Sequence, residues 1–486
     1  MHLVIPKEFY FSTLSVLILV LGSLVALMQR DKVSKNYVTL VELTQVFFLS
    51  ASLCACFFNQ YYGEFLGGAF FFSRLTKVVH ILILSVSLFI SLLFLSHPER
   101  KSFFRPEISF LYQLITAGML VFTASYDLVT LLISLEISSL GVYTLIGYLN
   151  PGRKSLEGAM KYFLLGSLAT AFLLLGISFV YASAASLNIK EIMVFVRTFS
   201  QPIWFHGGLL LMVLGFAFKL ALVPFHFWAP DAYESAPTGI TAFMATGFKI
   251  IIIAVLLRLF PLFQLLSSSS WAPLFSILVG LSIIVGNILA LSQFSVKRTL
   301  AYSSIAHSGY MAIALCALST GGTLPSLLFY LVSYVLASLL AFGALMSMET
   351  KENQNLSLDD LKGYGRKNPM VAFLLSFSLF SLAGLPPTVG FLGKLFIFSS
   401  ALKGNLFPLV LIAVLGSAIS LYYYLRIIVH MYMKEEDFSC LYPAAVSKKK
   451  SYLLILPFLV ALLLGTIWPQ KFFDTLSPKS TYSVKK

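Results

Sequence analysis

Apolar runs of roughly 20 residues follow one another through almost the whole chain, and each is long enough to cross the hydrocarbon core of a bilayer. No feature constrains the fold more. Charged residues make up 11% of the 486 positions, against about 25% in soluble domains. Mean hydropathy is +0.88. A water-facing surface cannot be built from this composition, and no extended soluble domain is left over. Spans in lipid must satisfy their own backbone hydrogen bonds, so helices are expected throughout. The fold class read from this pattern is an all-α polytopic membrane protein. The N-terminus has no cleavable signal pattern and leads straight into the first span.

Fourteen spans can be placed, near 8–28, 37–58, 74–95, 107–126, 127–148, 156–182, 203–226, 237–261, 271–293, 298–318, 323–348, 370–403, 405–432 and 449–468. An even count puts both termini on one side. With the N-terminus outside, the inner loops hold most of the loop cations, among them Arg100, Lys101, Lys297, Arg298, Lys362, Arg366 and Lys367. Fewer fall outside, such as Arg74, Lys77, Lys190, Arg197 and Arg258. The positive-inside rule then places both termini on the outer, periplasmic side of a bacterial inner membrane. The same rule accounts for the net charge of +14, so no nucleic-acid partner is inferred and the partner is the lipid bilayer. Cys54, Cys56, Cys316 and Cys440 show no metal-ligand spacing. Cys54 and Cys56 are read as small buried side chains.

Two spans are interrupted. The seventh runs into Val223-Pro224-Phe225, and the twelfth contains Gly384, Pro386, Pro387 and Gly390. Proline removes a helical hydrogen bond and clashes with the preceding turn. The twelfth stretch is also too long for one plain crossing. Broken helices at matching places in two halves mark the ion site of inverted-repeat transporters. The spans fit that scheme, with the break in the fourth member of each repeat. The organisation expected is a three-helix membrane segment (1–106), two inverted five-helix repeats (107–261 and 271–432), and a C-terminal helix and tail (433–486). Kinks that only aid packing are the plainer alternative.

Charges inside the spans point to ion movement. Apart from cations at the span edges, counted with the loops, five lie there, Lys161, Lys219, Lys249, Lys394 and Arg426, with one carboxylate, Glu136, near a span centre. Glu136 and Lys249 each lie about 18 Å from the inner helix end. A charge at that depth costs at least about 2.5–3.5 kcal/mol, so stability alone would remove it. Burial penalises the charged form of either group. Each can therefore change charge state, and an ion pair whose partner moves becomes a switch. Lysines spaced through the membrane could hand protons along a row. Lys161 lies close enough to its helix start to snorkel. Arg426 reads as a structural anchor near the inner end of its span. His226 and His307 stand near other polar groups and are candidates for the same proton path, whereas His80 and His430 read as structural.

These residues lie in segments with a recognisable form. The stretch from Phe218 to Lys249 carries Lys219, Pro224, His226, Pro230-Asp231, Tyr233-Glu234 and Ala236-Pro237-Thr238. It resembles the hallmark of the antiporter-like membrane subunits of respiratory complex I, the proton-translocating NADH:quinone oxidoreductase. Within that family its core is most similar to subunit N. The segments Lys161–Ser167, Lys297–Tyr310 and Ala383–Phe398 are similar to the same subunit. The likeness runs over most of residues 107–430. Ser235 and Gly239 depart from the usual glycine and proline, and the first three helices match loosely.

The resemblance implies that Glu136 pairs with the broken-helix lysine, Lys219. It implies that Lys249 is the central lysine, Lys394 the terminal lysine, and Lys161 the sixth-helix lysine of the proton path. It also implies that this chain carries no redox centre. Flavin, iron–sulfur clusters and quinone would belong to partner subunits, and its neighbours would be another antiporter-like subunit and small membrane subunits. A subunit of a multisubunit sodium/proton antiporter and a non-translocating membrane scaffold are the rival readings. A carrier of organic solutes lacks a substrate-sized polar cluster.

Overall fold

A computed structural model describes residues 7–29, 37–97, 100–149, 152–267, 272–318, 323–350, 354–434 and 451–469. Both chain ends, on which the orientation expectation bears, lie outside the described residues, as does Cys440. The described chain is mostly helical and falls into two units. One runs to Ala221 and resumes at Phe225; the other takes Leu222–Pro224 and everything from Ala272 onward.

The first unit holds α1 (Lys7–Met28), α2 (Tyr37–Phe58), a hairpin of β1 (Gly63–Phe65) and β2 (Phe70–Phe72), α3 (Arg74–Phe94) and the single turn α4 (Arg100–Phe103). It continues through α5 (Pro106–Ala124), α6 (Leu128–Leu149), α7 (Arg153–Ala184), α8 (Ile189–Thr198), α9 (Ile203–Lys219), α10 (Trp228–Ser235) and α11 (Thr238–Ser267). The second unit holds α12 (Ala272–Leu291), α13 (Val296–Cys316), α14 (Thr323–Met348), the turn α15 (Tyr364–Lys367), α16 (Pro369–Ala383), α17 (Val389–Lys403), α18 (Phe407–Tyr432) and α19 (Ser451–Ile467). Among the described residues, 10 helices are long and apolar enough to cross a membrane, and α9, α16 and part of α19 are shorter apolar helices.

The pattern of exposure suits a lipid solvent. Phe11, Leu21, Leu43, Phe47, Leu164 and Leu168 point outward, the reverse of a water-facing surface. Small residues let helices approach without a hydrophobic driving force between them. Along the α7–α9 contact, a Cβ on Gly176 would stand 2.6 Å from the Gly208 carbonyl oxygen. α11 packs on α3, α5 and α9, and its apolar stretch is wholly buried.

Several sequence expectations shift in detail. The stretch 203–226 ends as helix at Lys219, and 370–403 divides into α16 and α17. The hairpin was not anticipated, because three-residue strands are too short to show a period. Arg258 and Lys297, read as loop cations, lie inside α11 and α13. Arg258 is tolerated there because its guanidinium donates to Ser125 O (2.7 Å), Thr76 Oγ1 (2.9 Å) and Phe71 O (3.3 Å). Cys56 is buried as expected, but Cys54 is exposed. Two positions along a helix turn by about 200°, so both cannot face inward.

Candidate proton-transfer site

The break after α9 sets the geometry of the first unit. The helix stops at Lys219, the Val223–Pro224 peptide is cis, and Ala221 takes a left-handed φ of 57°. A helix that ends inside the protein leaves carbonyls without partners. Here Trp228, at the start of α10, donates its indole N–H to Phe218 O at 3.0 Å. Trp228 also stacks on Tyr162 of α7, with ring centroids 4.1 Å apart. A lysine in the last turn is favoured by the negative end of the helix dipole.

The Lys219 side chain is fully buried and faces α6. Its ammonium donates to Ser139 Oγ at 2.7 Å and Tyr143 Oη at 3.2 Å. Glu136 Oε1 lies 3.9 Å away, with its side chain 25% exposed. Glu136, Ser139 and Tyr143 fall at i, i+3 and i+7, so α6 presents all three on one face. Thr170 of α7 donates to Glu136 Oε1 at 2.6 Å. Tyr143 reaches the ammonium because position 166 is glycine; a Cβ there would stand 2.1 Å from Tyr143 Oη. The result is a buried cation held by two hydroxyls, with a carboxylate just beyond hydrogen-bond reach.

The other candidates of this unit are placed differently. Lys161 is about half exposed and binds Asp231 Oδ2 at 2.8 Å and Glu157 Oε1 at 2.7 Å. It thus ties α7 to α10. Lys249 is buried midway along α11. His226 is buried just after the break, its ring centroid 4.5 Å from that of Phe227. His80, read as structural, is buried against Leu120 O at 3.0 Å.

In the second unit the twelfth stretch breaks by a different device. Gly384 caps α16 in the left-handed region, φ 80° and ψ 44°. Its N–H donates to Ser381 O, and the Leu385 N–H reaches back to Phe380 O, the paired bonds of a Schellman cap. Thr388 then caps the start of α17. Lys394 of α17 is buried and closes the gap. Its ammonium donates to Ala383 O at 2.7 Å and Ser417 Oγ at 3.0 Å, and lies 5.1 Å from the Tyr310 ring centre.

His307 sits midway along α13 among tyrosines. Its Nδ1 shares a 2.6 Å hydrogen bond with Tyr330 Oη, and its Nε2 one of 3.3 Å with Tyr424 Oη. Tyr424 Oη also pairs with Ser303 Oγ at 2.6 Å. Tyr310 and Tyr423 meet at Asn287, with contacts of 3.2 and 3.1 Å. Arg426, expected as an anchor, donates to Leu291 O at 3.0 Å, at the end of α12. His430, also read as structural, bonds Arg426 O at 2.7 Å.

Sequence reasoning missed the hydroxyl partners Ser139, Tyr143, Thr170, Tyr330, Tyr424 and Ser417, since such residues are unremarkable in apolar helices. It also missed a buried pair in which Lys297 Nζ stands 3.5 Å from Glu349 Oε1. Among the described residues, no three His, Cys, Asp or Glu side chains gather as a metal ion would need. What the chain provides is buried cations, a carboxylate, imidazoles and hydroxyls that both donate and accept, groups that can each take up or pass on a proton.

Comparison with known proteins gives the setting. The family described as NADH:quinone oxidoreductase/Mrp antiporter, TM matches residues 125–420. The NADH-quinone oxidoreductase subunit N of Trichlorobacter lovleyi is 38% identical over 371 residues, 76% of this chain and 75% of that one. The subunit N of Bdellovibrio bacteriovorus is 40% identical over 334 residues, 68% of this chain and 69% of that one. A chain of respiratory complex I from Thermus thermophilus superposes with a TM-score of 0.80 at 32% identity, covering 95% of this chain and 99% of its own.

Proposed function

We propose, since this chain belongs to the NADH:quinone oxidoreductase/Mrp antiporter transmembrane family and within it to the subunit N proteins, that Glu136, Lys161, Lys219, His226, Lys249, His307 and Lys394 carry protons through it. The chain is a multi-pass protein of the bacterial inner membrane and one subunit of a multi-subunit membrane complex. It is a proton-translocating subunit of an NADH:quinone oxidoreductase.

The finer reading is our own. Fourteen crossings form a three-helix segment (1–106), two inverted five-helix repeats (107–261 and 271–432) and a last helix and tail (433–486), with both termini on the outer side. The chain holds no redox centre; flavin, iron–sulfur clusters and quinone sit in partner subunits. Quinone reduction there alters charge next to this chain, through an antiporter-like neighbour and small membrane subunits. Moving one charge across the membrane takes about 2.3 kcal/mol per 100 mV. Making or breaking a buried ion pair is of that order or larger.

One observation carries the reading. Lys219 is buried at a helix break, bound by two hydroxyls and 3.9 Å from Glu136. In the resting arrangement the hydroxyls hold the ammonium apart from the carboxylate. A charge arriving near Glu136 shifts the balance between the two sets of partners of Lys219. The test is Lys219→Ala in the assembled complex. We expect assembly to survive and both proton uptake by vesicles and coupled quinone reductase turnover to collapse. Wild-type pumping in that variant removes Lys219 from the mechanism.

A further inference from the structure

We propose that Lys297 and Glu349 form a proton-loading pair at the basic-loop end of the second unit, delivering protons to His307 along the α13–α14 seam. The inference deepens the proton-translocating reading above and rests on it.

The pair is buried on both sides. Lys297 Nζ lies 3.5 Å from Glu349 Oε1, and each side chain is 2% exposed. Replacing such a pair with apolar residues is often neutral or stabilising, so its presence is poorly explained by stability. Lys297 is the second residue of α13, and Glu349 directly follows α14. Both therefore stand where the two helices meet the basic loops, the face that the positive-inside rule assigns to the proton source.

From that end a line of hydroxyls leads inward. α13 is buried along its length, with only Arg298 and Tyr302 partly open between Val296 and Leu315. Yet its interior is rich in polar groups, with Thr299, Ser303, Ser304, His307 and Ser308. Ser304 lies two turns beyond Lys297, about 10 Å along the axis, and His307 one turn further. Tyr334 of α14 donates to Ser304 Oγ at 3.1 Å, and its ring centroid is 5.0 Å from that of His307. Tyr330, one turn along α14, shares the 2.6 Å bond with His307 Nδ1. Each hydroxyl can donate one proton and accept another, so Ser304, Tyr334 and Tyr330 supply relay groups on the way to His307. In this proposal water molecules carry the proton over the first two turns, between Lys297 and Ser304.

The step balances. A proton from the loop side adds to a carboxylate oxygen of Glu349, leaving the Lys297 ammonium beside a neutral acid. Lys297 then releases a proton by way of water, Ser304 and the tyrosine hydroxyls, of which Tyr330 Oη passes it to the imidazole of His307. Glu349 gives its proton to the Lys297 amine and the original ion pair is restored. One proton has moved from the loop side to His307, and only O–H and N–H bonds have been made or broken.

Glu349→Gln keeps the shape and removes the titratable group. In the purified complex, reconstituted in vesicles, proton uptake normalised to assembled protein should fall at least about tenfold, as for loss of an acid–base group. The double variant Lys297→Met with Glu349→Met removes both charges and keeps packing. It should assemble like wild type and pump as poorly as Glu349→Gln. Wild-type pumping by the assembled double variant overturns the proposal. So does failure of both variants to assemble, which assigns the pair to folding. Lys219→Ala run in parallel separates the two readings. If it stalls while the Glu349 variants pump, only the loading pair is wrong.

Discussion

Lys219 Nζ and Glu136 Oε1 stand 3.9 Å apart, too far for a hydrogen bond. Ser139 and Tyr143 hold the ammonium instead. The spacing makes the pair adjustable, since a small change in either hydroxyl tips the lysine toward or away from the carboxylate. Hydrogen bonds to charged groups are worth about 1.5–3 kcal/mol. Ser139→Ala combined with Tyr143→Phe should therefore pull Lys219 onto Glu136 by at least roughly tenfold in population. The complex should still assemble and should pump slowly, with a tighter Glu136–Lys219 pair in a structure of the variant. Unchanged turnover would show that these hydroxyls do not set the pairing.

Lys219→Arg is expected to behave worse than conservation of charge suggests. Arginine stays protonated under all working conditions, whereas a lysine can give up its proton when buried. The guanidinium would also engage Glu136 in a forked pair that does not release. Turnover and proton uptake should fall as far as in Lys219→Ala while assembly is retained. A variant that pumps at the wild-type rate would mean that Lys219 acts as a fixed charge and never titrates.

Lys161 makes a weaker case for a carrier of protons than its buried counterparts. It is 46% exposed and held by Asp231 and Glu157, and pairs this open contribute about 0–1 kcal/mol. Its contact with Asp231 fastens α7 to the short helix that follows the α9 break. Lys161→Ala and Asp231→Asn should produce similar, partial losses of turnover, and the double variant should lose no more than either alone. Additive losses would separate the two residues and return Lys161 to an independent role in proton transfer.

The sequence showed its cations more plainly than their partners. Lys219, Lys249 and Lys394 stand out because the helices around them are almost uncharged, and Pro224 and Pro386-Pro387 announce the breaks beside two of them. Ser139, Tyr143 and Ser417 carry no such mark, since hydroxyl residues are common in apolar helices and bond equally well to their own backbone. Glu349 was hidden for another reason. It follows directly on Met348 at an apparent helix end, where a carboxylate reads as solvent-facing, whereas the fold buries it beside Lys297 of α13. Likewise nothing in residues 63–72 announced a hairpin. Its turn at Leu66, Gly67 and Gly68 is left-handed at each position, and its contact with Asn188, far along the chain, is tertiary.

Gly384 offers a test of how the α16–α17 break positions Lys394. The residue adopts φ 80°, a region that costs an L-residue roughly 1–2 kcal/mol. A Cβ built there would also come within 2.9 Å of Lys394 Cδ and 3.2 Å of its Nζ. Gly384→Ala meets both penalties. It strains the cap and pushes on the side chain whose ammonium closes the Ala383 carbonyl at 2.7 Å. Gly384→Asn separates them, because asparagine tolerates the left-handed region better than other non-glycine residues but still carries a Cβ. Both variants should displace Lys394 and lower proton uptake, while Gly384→Ala should lose more thermal stability than Gly384→Asn. If Gly384→Asn pumps normally and only the alanine variant fails, the glycine serves the turn alone, and the close approach to Lys394 is incidental to proton transfer.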